Sequence, residues 1–548
     1  MNIFKPKLLS VLKSYSRRQL ISDIVAGVIV AIIALPLSIA LAIASGVSPE
    51  KGLYTAIVAG FVIAALGGSN VNISGPTAAF ATIVAGIVAQ FGISGLVLAT
   101  IMAGLMLILM GICRLGSLIK YIPYTITTGF TSGIALTIVI GQVKDFLGLS
   151  YPAGTHNIET IEKVEAIVKN FASFNWQALL VGLIGLAILI LWPKVSKKIP
   201  GSLIAVVVGV VIVKVFKMDV NTIGDLYTIS RDLPAFALPA FEWSNLSALL
   251  PSAFTIAILA AIESLLSCVV SDSMIGDRHN SNTELIAQGA GNIASALFGG
   301  IPATGAIART AANVKNGGRT PLAGMIHAAV LLLILVVLMP YAAWIPMPII
   351  AAILFMVAYN MCEWRHFVEI CKTAPWSDIL VLVLTFVLTV AFDLVVAIEF
   401  GMLAAVILFM KRMADVTHIR PWTKSDEKVE DDGGRLKNIP AFTSVYEING
   451  PMFFATTDKY STIPLQAGIK VLILRMRNVP SLDISAMRSL HSVQKICAEK
   501  GVTILLSHVN EQPMEVMKKS GFADKIGESN FLANIDEALA RAAELTKE

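Results

Sequence analysis

From residue 24 to residue 410 this chain is a succession of apolar runs separated by short polar loops. Backbone N–H and C=O groups inside a bilayer find no water, so each run must close its own hydrogen bonds. Over the 548 residues 56% are hydrophobic and 14% charged, whereas a soluble domain carries roughly a quarter of its residues as charges. The reading is a polytopic membrane protein. A span needs roughly 20 apolar residues, fewer where a helix is broken or shielded by neighbours. Candidate segments fall near 23–46, 52–67, 75–91, 94–113, 124–147, 176–192 and 201–216. A second set falls near 251–272, 285–299, 303–315, 321–340, 345–361, 376–395 and 397–412, giving about fourteen segments in two sets of seven.

Two stretches look like damaged membrane helices, and they resemble each other. Residues 53–68 close on Gly67-Gly68 and are followed by Ser74-Gly75-Pro76-Thr77-Ala78-Ala79. Residues 285–300 close on Gly299-Gly300 and are followed by Pro302-Ala303-Thr304-Gly305-Ala306. Aligned without a gap, Leu53 meets Leu285, Ala64 meets Ala296, and the glycine pairs coincide. Interrupted apolar segments at matching places in two halves point to a transporter's binding site. If each half holds an odd number of spans, the second half is inserted upside down relative to the first. Loop charges agree with a cytoplasmic N-terminus, since the basic loops 114–120, 193–198, 315–319 and 363–372 and the exit at Lys411-Arg412 then all lie inside. Loops 148–175 and 217–250 mix both signs.

Residues 1–22 carry Lys5, Lys7, Lys13, Arg17 and Arg18 and read as a cytoplasmic amphipathic lead-in. The expected transport region is 23–416, with repeat one about 23–216 and repeat two about 251–416. A charged linker over 417–440 contains Asp426, Glu427, Glu430, Asp431 and Asp432. Beyond it the pattern becomes that of a small cytoplasmic α/β domain, 441–548. Strands are expected at 443–448, 470–476 and 502–508, and helices at 485–499, 513–520 and 535–545. Five scattered cysteines and seven histidines show no ligand spacing, so no disulfide, metal centre or cofactor is expected. The formal charge of +5 is ordinary for a membrane protein with basic inner loops and gives no reason to expect a nucleic-acid partner.

The residues that carry chemistry cluster at the interruptions. A helix N-terminus offers unpaired N–H groups and partial positive charge, so two facing one another make an anion site. Thr77 and Thr304 add hydroxyls. The same small residues occur wherever membrane helices pack, but recurrence in matching context favours the site. Arg309 lies one to two turns into the second broken helix, where it biases the cavity toward anions; the bland reading is a snorkelling or paired arginine. Glu263 is the one charge in the run 256–270. It is positioned to take up a proton or, with Ser267 one turn on, to ligate sodium; the alternative is a helix-joining ion pair with Arg309. Asp272, Asp277, Arg278 and His279 read as interfacial, Asp393 and Glu399 as structural, and His327 as a satisfied packing residue.

Together the block 74–79, Glu263-Ser264-Leu265-Leu266-Ser267, the loop His279-Asn280-Ser281-Asn282 and residues 302–309 resemble the sulfate permease (SulP) family. The downstream domain is similar to the STAS domain of that family. The resemblance implies a 7+7 inverted-repeat membrane fold shared with uracil transporters, with core and gate domains and often a homodimer. It implies a substrate site between segments three and ten, at Thr77, Ala78, Ala308 and Arg309, and a coupling role for Glu263. Within the family the likeness is nearest to bacterial dicarboxylate uptake proteins of the DauA type. Asp483-Ile484-Ser485 resembles the Asp-x-Ser of anti-sigma-factor antagonists, whose serine is phosphorylated, though Ser485 reads more simply as a helix N-cap.

The function expected is cation-coupled uptake of sulfate, bicarbonate or a C4-dicarboxylate through the inner membrane, with the proton favoured over sodium and both termini cytoplasmic. The rivals are an uncoupled channel or exchanger, and an anion sensor signalling to a cytoplasmic partner through the STAS domain. No nucleophile–base set suggests an enzyme.

Overall fold

The computed structural model describes the chain except residues 1–3, 14, 118–122, 153–158, 197–198, 231, 239–245, 393, 423–438, 462–467 and 548. Asp393 and the acidic run of the expected linker lie outside the described residues. The chain divides into two compact units, 1–403 and 404–548.

In the first unit α1 (Lys7–Val11) precedes α2 (Arg17–Ala44), which opens six residues before the expected start of the first span. A capping box places that start: Ser16 accepts from the Gln19 N–H while the Gln19 side chain accepts from the Ser16 N–H. Next comes α3 (Pro49–Leu66), with proline at its first position, where no N–H is needed. Strand β1 (Ser74–Gly75) and a 3-10 turn, Ala78–Phe80, lead into α4 (Ala81–Ile112). That stretch holds two of the expected segments, hinged at Gly92, whose φ of 67° is open to glycine. Then follow α5 (Tyr124–Leu147), α6 (Thr160–Lys169), α7 (Trp176–Val195), α8 (Gly201–Val215) and α9 (Ile223–Leu226).

The second half repeats the plan. It runs α10 (Leu246–Ile275), α11 (Ser281–Leu297), β2 (Thr304–Gly305), α12 (Ile307–Lys315) and α13 (Pro321–Ala342). It ends with α14 (Met347–Cys362), α15 (Trp364–Thr373), α16 (Trp376–Ala391) and α17 (Leu394–Val416). Seven segments thus stand on each side: α2, α3, the two parts of 78–112, α5, α7 and α8, against α10 to α14, α16 and α17. Eight described stretches are long and apolar enough to cross a bilayer, and α8 and α16 are shorter apolar helices. One expectation needs correction. The segments 53–66 and 285–297 are not themselves damaged; they lie in the continuous helices α3 and α11, and each helix ends just before its glycine pair, where the break begins.

Packing sorts the spans into two bundles. Helices α2, α3, α4, α10, α11, α12 and α13 pack chiefly on one another, and α5, α7, α8, α14 and α16 form the second group. These are the core and gate of a 7+7 inverted-repeat fold. Within the core, Gly104 of α4 and Gly289 of α11 approach so closely that a Cβ on either would strike the other's carbonyl oxygen.

The second unit is α/β. Among its described residues are five strands, β3 (His418–Pro421), β4 (Thr443–Asn449), β5 (Val471–Asn478), β6 (Thr503–Ser507) and β7 (Phe531–Leu532), which lie in sequence order. Of these, β3 is antiparallel to β4, and the other pairings are parallel. Its helices are α18 (Thr457–Ser461), α19 (Ile484–Glu499), α20 (Glu511–Lys519), α21 (Phe522–Ile526) and α22 (Ile535–Thr546). Two apolar clusters form its core, one including Leu472, Leu474 and Leu490, the other Ile473, Leu505 and Leu539.

Candidate anion site at the paired broken helices

The two interruptions meet. Strands β1 and β2 pair antiparallel, Ser74 opposite Gly305 and Gly75 opposite Thr304, so the 78–80 turn and α12 leave this short ribbon at opposite ends, each with its N-terminal end toward it. Neither start has a side-chain cap, so their first-turn N–H groups point outward unclaimed by a capping group. The glycines leave the space that two polar side chains occupy. A Cβ on Gly75 would lie 2.6 Å from Nη1 of Arg309, and one on Gly305 2.7 Å from the Asn72 amide.

Arg309 and Glu263 both anchor to the turn after β1. The Arg309 guanidinium is 3% exposed and donates through Nη2 to the Pro76 carbonyl at 2.6 Å, while Nη1 is buried without a partner. Glu263 is half-buried and accepts from the Thr77 hydroxyl at 2.9 Å. The two charges form no ion pair with each other, so the helix-joining alternative finds no contact here. A buried cation with a free N–H next to two uncapped helix starts is an arrangement that receives an anion.

Other expected residues fall nearby with different tasks. Ala78 is buried and Ala308 exposed, each in the first turn of its helix start. Thr304 is fully buried and its hydroxyl donates to the Ala260 carbonyl at 2.9 Å, so it fastens β2 to α10. The Ser267 hydroxyl is likewise turned away from Glu263, to Asn72 at 2.8 Å and Thr310 at 3.1 Å. His327 is buried as expected, yet neither ring nitrogen has a hydrogen-bond partner, so it is not a satisfied residue. Asp272 accepts from the His279 backbone and ring, and Glu399 is exposed. Ser485 is not the N-cap of α19. Asp483 is, accepting from the Ala486 N–H at 2.8 Å, and Ser485 sits two positions later.

Sequence reasoning missed the scaffold beneath the site. Glu284 of α11 is fully buried and accepts from Gly68 N–H, Ser69 N–H, Asn72, Ser264 and Gln288. Asn72, held by it, accepts from Ser267 and Thr310, and Thr310 accepts from the Ile73 N–H. Asn292 clamps both backbone groups of Ala303 at 2.8 Å. Polar residues at one-turn spacing on α11 (Glu284, Gln288, Asn292) were the available signal.

The sequence pattern of the sulfate permease family matches residues 20–416, and that of the STAS domain matches residues 435–539. The chain belongs to the sulfate permease family. It is 40% identical over 534 residues to "Putative sulfate transporter YvdB" of Bacillus subtilis (strain 168), covering 96% of this chain and 98% of that one. It is 32% identical to the bicarbonate transporter BicA of Synechocystis sp. (strain ATCC 27184 / PCC 6803 / Kazusa), covering 96% and 94%. Among solved structures, the transmembrane domain of a cyanobacterial BicA superposes with a TM-score of 0.62 at 33% identity, covering 71% of this chain and 98% of that one. Murine Slc26a9, in an inward-facing state, superposes with a TM-score of 0.88 over 98% of this chain and 94% of that one; at 19% identity it speaks to the fold alone. The chain is therefore an integral membrane anion transporter of this family, with a C-terminal STAS domain.

Proposed function

We propose that this sulfate permease family member is a secondary active transporter that takes up a compact oxyanion, sulfate or bicarbonate, together with a proton. The observation that carries the reading is the unpartnered, buried Nη1 of Arg309 beside two uncapped helix starts. One guanidinium and two helix ends at one place suit a single compact anion. A C4-dicarboxylate, the third candidate, needs a second cationic partner for its distal carboxylate. The names of the relatives, sulfate and bicarbonate transporters, lean the same way. Glu263 is the coupling group, and a carboxylate that accepts from a single hydroxyl can take up a proton by itself, whereas sodium needs several further oxygens, which favours the proton. Rocking of the core against the gate supplies alternating access. The protein sits in the inner membrane with both termini cytoplasmic, as a homodimer, and its STAS domain engages a cytoplasmic protein.

Uptake into proteoliposomes, with sulfate, bicarbonate and succinate offered under separate proton and sodium gradients, tests this. Proton-driven accumulation of one oxyanion is expected, and Glu263→Gln should abolish it while leaving anion binding measurable. Undiminished accumulation by that variant would sink the coupling assignment.

A further inference from the structure

An apolar cavity of about 290 Å³ lies at the seam between the two bundles of the membrane unit. One wall is α8, from Leu203 to Val211, and the other is made by α2, α3 and α13. At 1.5 Å per residue the α8 wall is about 12 Å long, so the space is a slot along the helices and not a compact hole. Its lining holds no charged side chain. Val207, Val211 and Leu338 are 51%, 53% and 46% exposed, which opens the slot sideways toward the bilayer. At one end stand Tyr341 and Trp344, ring centroids 5.2 Å apart and edge to face. The Lys214 ammonium lies 2.8 Å from the centroid of the Trp344 ring, and no carboxylate pairs with it among the described residues.

We propose that this slot binds one acyl chain of an anionic phospholipid whose phosphate rests on Lys214. Three observations select that occupant. The slot is long, apolar and open to lipid. Its mouth carries a tryptophan, a tyrosine and a lysine, the residues that mark headgroup depth in membrane proteins. The lysine, unpaired with any acid, supplies a cation for the phosphate, and a lysine binds phosphate as a point charge. The location gives the tail a consequence. Helix α8 belongs to the gate and α2, α3 and α13 to the core, so the tail lies in the surface along which the bundles move. Filling of the slot then sets the ease of that movement.

Native mass spectrometry of the full chain in mild detergent, with phosphatidylglycerol or phosphatidylcholine added, tests the site. The wild type is expected to retain one phosphatidylglycerol in preference to phosphatidylcholine. Val207→Trp, which fills the slot, should lower retention about tenfold, the loss that goes with excluding a few methylenes from an apolar wall. Lys214→Ala lies on the surface and serves where the filling variant fails to fold; it should erase the preference for the anionic lipid. Equal retention by the wild type and either well-folded variant overturns the proposal, as does equal retention of the two lipids by the wild type.

Discussion

Gly75 and Arg309 solve one steric problem together: the guanidinium occupies the space where a Cβ would stand, 2.6 Å away. Gly75→Ala must push Arg309 off the Pro76 carbonyl, removing a charge-assisted hydrogen bond of about 1.5–3 kcal/mol. Anion affinity is expected to fall about tenfold or more, with the fold retained, measured by titration calorimetry with sulfate and with bicarbonate. Affinity equal to wild type would remove Arg309 as the cation of the site. Arg309 and Glu263 were legible in the sequence because a charge within an apolar run is conspicuous by itself. Their partners were not. The Thr77–Glu263 bond spans 186 residues, and the direction of a hydroxyl is set by tertiary packing, which is why Thr304 and Ser267 fall on the right elements with other tasks. Glu284 escaped notice because its helix also carries Asn282, Gln288 and Asn292, so an acid there looks like an ordinary polar residue.

At the scale of elements, the N-terminal segment is fastened across the loops that lead to the broken helices. The Lys5 N–H donates to Thr283 Oγ1 at 3.2 Å and the Lys7 N–H to the Gly67 carbonyl at 3.0 Å. The Lys7 ammonium meets Asp277 at 2.9 Å, and Asn70 donates to the same carboxylate at 2.6 Å. Burial opposes ionisation of Asp277, but Lys7, the Arg278 N–H and Asn70 outweigh it and hold its pKa below the usual carboxylate value. A lowered carboxylate pKa gives stability that is complete above the ordinary value of about 4 and is lost as pH falls through the lowered one. The fastening is therefore intact at neutral pH and lost only in acid below about pH 4. Asp277→Asn should raise hydrogen exchange at the Lys5 and Lys7 amides about threefold at pH 7, a modest change because the pair is partly exposed. Unchanged exchange would show that the backbone bonds hold the segment alone. Strands β4 to β6 and helices α19, α20 and α22 of the second unit were legible because each carries its apolar residues over five or more positions. Strands β3 and β7, of four and two residues, and helices α18 and α21, of five each, were not: they are too short for a pattern.

For the whole molecule, the inverted repeat was legible because backbone geometry leaves marks at fixed places, the glycine pairs and the Ser-Gly and Thr-Gly strands. The division into core and gate was not, because helix–helix and helix–lipid faces are both apolar, so periodicity carries little contrast within a membrane. The split of the chain into two units, 1–403 and 404–548, bears on the second of them. Every residue assigned to the anion site, from Asn72 to Thr310, lies within the first unit, and so does each hydrogen-bond partner found for it. Perturbations at sites without shared partners combine additively to within a few tenths of a kcal/mol. A chain ending at residue 416 is therefore expected to bind sulfate or bicarbonate within about twofold of the full chain, by the same calorimetry. Its transport rate is free to differ, since rate depends on movement and binding does not. A tenfold loss of affinity in a truncated protein that stays monodisperse would mean that the second unit orders the site itself, and the STAS domain would then act on substrate binding and not on turnover alone.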